Sequence, residues 1–158
     1  MQTVPKHFFV TSGQAASPVS DLNAFDLALL KAHISEQNLV AVSSVIPDGA
    51  EQVDVCEIPM GMVTFCVLSQ MRGRSGDVIS SGVAYAFRKD GHGGYVAEGH
   101  LHGSGEDLAE ELRNKMREMS RIRGVEFGEV HCRVENQTVP DGEYGCCVSA
   151  VVFTDFRD

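Results

Sequence analysis

The sequence predicts an α+β fold: two β-sheets face to face with one helix on each outer side, a four-layer αββα sandwich. Three observations lead there. Two stretches carry apolar residues at helical spacing, each behind a residue suited to N-capping. The other apolar runs are short and rich in β-branched residues, as strands are. The order strand, helix, strand, strand occurs twice, before and after residue 75, which suggests a duplicated unit although the halves share little residue identity. Facing sheets with a helix outside each would bury both helical stripes. At 158 residues the chain is most simply one domain, 1–158, long enough to bury about two-thirds of its unfolded surface.

Lys6 to Val10 reads as the first strand. Thr11 to Ser20 contains Gly, Pro and several hydroxylated residues and reads as a loop. Ser20 or Asp21 caps a helix whose stripe is Leu22, Phe25, Leu29 and Ala32, with Asp26 at its edge. Residues 38–47 follow as one strand. Leu39, Val40, Val42, Val45 and Ile46 are apolar there, and Pro47-Asp48-Gly49 stop the run. Residues 48–61 connect, ending in Ile58-Pro59-Met60-Gly61. Met62 to Met71 is a strand, and residues 72–77 turn the chain. Val78 to Phe87 sets Val83, Tyr85 and Phe87 against Ala84 and Ala86, a strand with small residues on one face. Asp90 to Gly94 turns into a short strand, Tyr95 to Leu101. Ser104 caps the second helix, with Asp107 at its third position. Leu108, Leu112, Met116, Met119 and Ile122 share one face, and Gly124 is placed to end it. Val130, Cys132 and Val134 alternate with charged residues on a half-exposed strand, and Gly145 to Phe153 is the last strand.

Composition narrows the function. Thirteen Lys and Arg against 22 Asp and Glu give a net charge of −9. That argues against a nucleic-acid binder, which needs basic surface to neutralise phosphates. It is compatible with steering of a cationic substrate, and equally with ordinary solubility. No apolar run is long enough for a transmembrane helix, and the first residues hold no signal-peptide core. The five cysteines are odd in number and lack a CxxC spacing, so neither a disulfide framework nor a zinc site is expected, and a reducing cytoplasm is. His92, Glu98, His100 and His102 are close in sequence. A His-x-His pair on a strand shares a face and can bind metal. No third ligand stands at a confirming spacing, so the expectation is exposed histidines and no metal. No Ser/His/Asp signature, phosphate loop or dinucleotide fingerprint occurs.

Within the run 38–47 stand two adjacent serines, Ser43 and Ser44. The Ser44 Oγ can reach the carbonyl carbon of Ser43. If that carbonyl is polarised, attack gives an N→O acyl shift to an ester. Loss of the Ser44 α-proton then expels Ser43 as a carboxylate, and the dehydroalanine left behind hydrolyses to a pyruvoyl group and ammonia. On the dipeptide alone, an ordinary pair of strand serines is the simpler reading.

The flanks alter that balance. Leu22-Asn23-Ala24-Phe25-Asp26-Leu27-Ala28-Leu29-Leu30, Asn38-Leu39, Val42-Ser43-Ser44-Val45-Ile46-Pro47, Pro59-Met60-Gly61 and Val96-Ala97-Glu98 occur in order. Together they resemble the pyruvoyl-dependent arginine decarboxylases, from about residue 6 to the end. The resemblance implies the same αββα sandwich and self-cleavage into 1–43 and 44–158. It implies a covalent pyruvoyl group from Ser44 and decarboxylation of L-arginine to agmatine in polyamine biosynthesis. The ketone would form a Schiff base with the substrate, an electron sink supplied by the chain itself. Glu98 matches the position of the proton donor, although Gly99-His100 follows it where bulkier residues are expected. Asp26 and Asn38 would bind substrate, and Leu29 and Val45 would line its aliphatic part. A cytoplasmic homo-oligomer of cleaved protomers is implied, a trimer or dimer of trimers with sites shared between subunits. Two other readings stay open: an uncleaved, non-catalytic relative with a structural or regulatory role, and a decarboxylase of another amino acid.

Overall fold

The computed structural model describes residues 4–157. In chain order they form β1 (Val4–Ser17), α1 (Asp21–Lys31), β2 (Asn38–Ala41), β3 (Val45–Ile46), β4 (Glu51–Gln52), β5 (Val63–Arg74), β6 (Val78–Phe87), β7 (Gly94–Leu101), α2 (Gly105–Arg123), β8 (His131–Thr138) and β9 (Tyr144–Arg157). One sheet has the order β2-β5-β9-β1-β4, the other β3-β7-β6-β8. Apart from the two-residue strands β3 and β4, strand, helix, strand, strand describes β1-α1-β2-β5. It recurs as β7-α2-β8-β9, with β6 standing ahead of it. β9 returns to the first sheet between β5 and β1, so the two halves interleave.

Strand parity sorts the core into three apolar layers between the four expected layers of helix and sheet. Phe9, Cys66, Val148, Ala150 and Val152 face α1. Their sequence neighbours Phe8, Val10, Val67, Val151 and Phe153 meet Val83, Tyr85 and Val96 of the other sheet. Ala84, Ala86 and Ala97 lie beneath Leu108, Leu112 and Met116 of α2. The small face of residues 83–87 is therefore the one a helix covers. Ser104 Oγ accepts from the Asp107 amide, and Gly124 ends α2 in the left-handed region at φ 63°. Ile122, at the end of the expected stripe, is exposed.

Two expectations are corrected. Thr11 to Ser17 is strand rather than loop, paired antiparallel with Tyr144 to Ala150. Its turn-like composition hid the use of Gly13: a Cβ there would lie 2.5 Å from the Ala28 carbonyl oxygen and 2.9 Å from the Ala32 nitrogen. The helix rests directly on that glycine. Close approach admits only small side chains, so α1 buries Ala24, Ala28 and Ala32 with Leu29, while Leu22 is 63% exposed. The apolar stripe read from the leucine spacing is partly turned outward.

All five cysteines are free thiols. Burial pushes Cys66 up to about 11, and Cys146 and Cys147 up to about 12, while Cys56 is exposed. Because the thiolate is the reacting form, iodoacetamide at mildly alkaline pH should label Cys56 first in the native protein. Peptide mass mapping would read this, and early modification of Cys146 or Cys147 would contradict the packing. No helix among the described residues is long and apolar enough to cross a membrane.

Candidate active site

Residues 38–47 are divided between the sheets rather than forming one strand. β2 runs parallel to β5 at the edge of the first sheet. β3 runs antiparallel to β7 at the edge of the second. The apolar residues of the run serve two cores: Leu39 packs into the one under α1, and Ile46 into the one between the sheets. Val42 to Ser44 make the crossing, and the polar pair falls where neither core needs a side chain.

Hydrogen bonds hold the crossing at both ends. The Val42 amide donates to the Cys66 carbonyl at 2.9 Å, on the first sheet. The Val96 amide donates to the Ser44 carbonyl at 2.9 Å, on the second. The Ser43–Ser44 peptide is the span between. Ser43 is exposed and Ser44 half-buried. Among the described residues, neither hydroxyl nor the Ser43 carbonyl has a hydrogen-bond partner within the chain. The β3–β7 side is fixed by close backbone approach. At Gly93, with φ +80°, an added Cβ would lie 2.6 Å from the Ile46 carbonyl oxygen, so the turn into β7 requires glycine.

Glu98 lies on β7, two residues beyond Val96 and so on the same face, roughly 6–7 Å along the strand. Val96 is buried between the sheets, whereas Glu98 is exposed. Among the described residues, β3 and Ser44 accompany β7 only as far as Val96, short of Glu98. The Lys115 Nζ donates to the Glu98 main-chain carbonyl at 3.0 Å. Val45 is exposed beside the crossing.

The other expected residues stand apart. Asn38 is at the far end of β2; its Nδ2 donates to the Gly61 carbonyl at 3.0 Å, and the Gly61 amide donates to Glu36. Pro59-Met60-Gly61 is thus folded against the start of β2. Asp26 is exposed on α1, across the first sheet from β7. Leu29 is buried in the core under α1, where contact with the close-packed sheet leaves nothing to line a pocket on this chain; Leu30 is exposed instead. One chain therefore assembles Ser43, Ser44, Val45 and Glu98, and holds Asp26 and Asn38 elsewhere. Sequence reading missed the Val96 amide. A backbone group leaves no side-chain signal, and only the register after Gly93-Gly94 reveals it.

A cleft of about 740 Å³ opens away from the serines, lined by Thr11, Lys31, His33, Glu57 and Arg133 among others. Among the described residues no group of three His, Cys, Asp or Glu side chains could hold a metal ion.

Comparison with known proteins adds the following. The family model described as pyruvoyl-dependent arginine decarboxylase (PvlArgDC) matches residues 7–158. A pyruvoyl-dependent arginine decarboxylase of Methanothermobacter thermautotrophicus is 40% identical over 92% of this chain and 95% of that one. Another, of Methanopyrus kandleri, is 34% identical over 95% and 97%. A solved structure of pyruvoyl-dependent histidine decarboxylase at pH 8 aligns with TM-score 0.51 and 13% identity, covering 63% of this chain and 54% of that one. At that identity the likeness concerns the fold.

Proposed function

Because this chain belongs to the pyruvoyl-dependent arginine decarboxylase family, we propose that it cuts itself between Ser43 and Ser44 and then decarboxylates L-arginine to agmatine and CO2. The observation that carries this reading is the position of the serine pair: an accessible peptide bridging two sheets, held by hydrogen bonds on both flanks. Residue 44 suits the group it would become. Its side chain is tied by no hydrogen bond within the chain among the described residues, and its carbonyl is already fixed by Val96. The pyruvoyl group supplies a ketone that captures the substrate amine and an adjoining amide carbonyl that takes up the electrons released with CO2.

The remaining roles fall to side chains. Glu98 holds the proton that replaces CO2 at the substrate α-carbon. Asp26 pairs with the guanidinium, for which a carboxylate is the natural two-pronged partner. Asn38 binds the substrate, and Val45 offers aliphatic contact. A homo-oligomer belongs to the same reading, as a cytoplasmic trimer. Val40, Val42 and Val45 are exposed apolar residues at the crossing, and Met62 and Val63 are exposed beside Asn38 at the other end of β2, a surface a second copy would cover. In this reading Asp26 and Asn38 of one copy serve the serines of another.

Intact mass of the purified protein tests this. Two chains, 1–43 and 44–158, are expected, their masses together equal to the uncut chain plus water minus ammonia. A wild-type protein that stays whole would favour the non-catalytic alternative. Substrate choice has its own test. Asp26→Asn should raise the KM for arginine about 10–100-fold, the worth of a charged hydrogen bond, and leave self-cleavage intact. Unchanged arginine kinetics would place Asp26 outside the site and reopen the choice of amino acid.

A further inference from the structure

We propose that the backbone N–H of Val96 is a fixed hydrogen-bond donor to the carbonyl of residue 44 in the matured protein, and stabilises the charge gathering there as CO2 leaves. The inference rests on the reading above and deepens it. Four observations carry it. The bond is present at 2.9 Å before cleavage. It lies on the 44–158 side of the scissile peptide, so cutting does not sever it. Its two strands are locked: β3 and β7 pair through Val45↔Tyr95 and Ile46↔Gly94. Ile46 and Val96 are each 1% exposed, and the Gly93 turn packs against the Ile46 carbonyl. Finally, the acceptor is the carbonyl that becomes the amide next to the ketone when Ser44 loses its nitrogen.

Charge displaced from the substrate α-carbon ends on that oxygen. A donor already aimed at it costs no reorganisation, and beside buried apolar side chains it is worth more than in water. The same strand carries Glu98 two residues on. β7 would then supply both needs of the reaction, a donor for the electrons and an acid for the carbon, with their spacing set by the pleat.

The test uses the whole matured protein. In ¹⁵N-labelled wild type, the Val96 amide should be strongly protected from hydrogen exchange after cleavage; exchange at the rate of an unprotected amide would overturn the proposal. Replacing Val96 by the corresponding α-hydroxy acid turns its N–H into an ester oxygen and keeps the side chain. In a sample shown by mass to carry the pyruvoyl group, kcat should fall about 10²-fold, as when one oxyanion donor is lost, with KM for arginine nearly unchanged. The residue-44 carbonyl band, isotope-edited with ¹³C-serine, should move to higher frequency. An unmoved band, or an unchanged kcat in matured protein, would each overturn the role. Failure of wild type to cleave would instead defeat the underlying reading, and mass distinguishes the two.

Discussion

Ser44→Ala should yield a single chain of 158 residues, with no blocked 44–158 product and no decarboxylase activity. The substitution removes one oxygen, the only atom that can attack the Ser43 carbonyl through a five-membered ring. The main-chain bonds that hold the crossing, Val42 to Cys66 and Val96 to Ser44, involve no side chain of residue 44. The fold should therefore survive, and a native-like circular dichroism spectrum would separate a loss of chemistry from a loss of structure. Ser43→Ala is the matched control. It keeps both the attacking hydroxyl and the scissile carbonyl, so it should still be cut. Cleavage of Ser44→Ala at the same bond would mean that another nucleophile does the work, and the maturation scheme would fall.

Glu98→Gln should mature and then turn over slowly. Glutamine keeps the shape and hydrogen-bonding capacity of the side chain but has no carboxyl proton to give. General acid catalysis is typically worth about 10²–10⁴-fold, and kcat should drop by that order. The position favours the role: Glu98 shares a strand face with Val96, whose amide already holds residue 44. Its exposure in a single chain makes the prediction depend on the proposed subunit contact, which would have to shield the side chain from bulk water. The assay must use protein shown by mass to be cleaved. If such protein decarboxylates arginine at the wild-type rate, the acid is another group, and Tyr85 or a bound water becomes the candidate.

Much of the fold was written in the order of residues. Parity in 83–87 set the alanines toward a helix and Val83 and Tyr85 toward the opposite sheet, because alternate strand residues point to opposite faces. The 4, 4, 3 and 3 spacing from Leu108 to Ile122, with Ser104 before and Gly124 after, placed α2. These are local signals, each decided within a few residues. The serine pair was visible as a dipeptide, but it drew its weight from the flanking segments and the family they resemble.

Tertiary structure decided what depends on residues far apart in the chain. Thr11 to Ser17 has a loop's composition and becomes strand because Tyr144 to Ala150 lie alongside. Gly13 reads as a turn residue and is a landing site for α1, which turns Leu22 outward and alanines inward. Residues 38–47 read as one apolar strand, since period and propensity say nothing of which sheet each half joins. Register with β5 and β7 splits the run, and the split puts Ser43–Ser44 at the crossing. The Val96 amide is the extreme case. Every residue but proline has an N–H, so sequence could name the nucleophile of the proposed cleavage, but only strand pairing could say which amide meets its carbonyl.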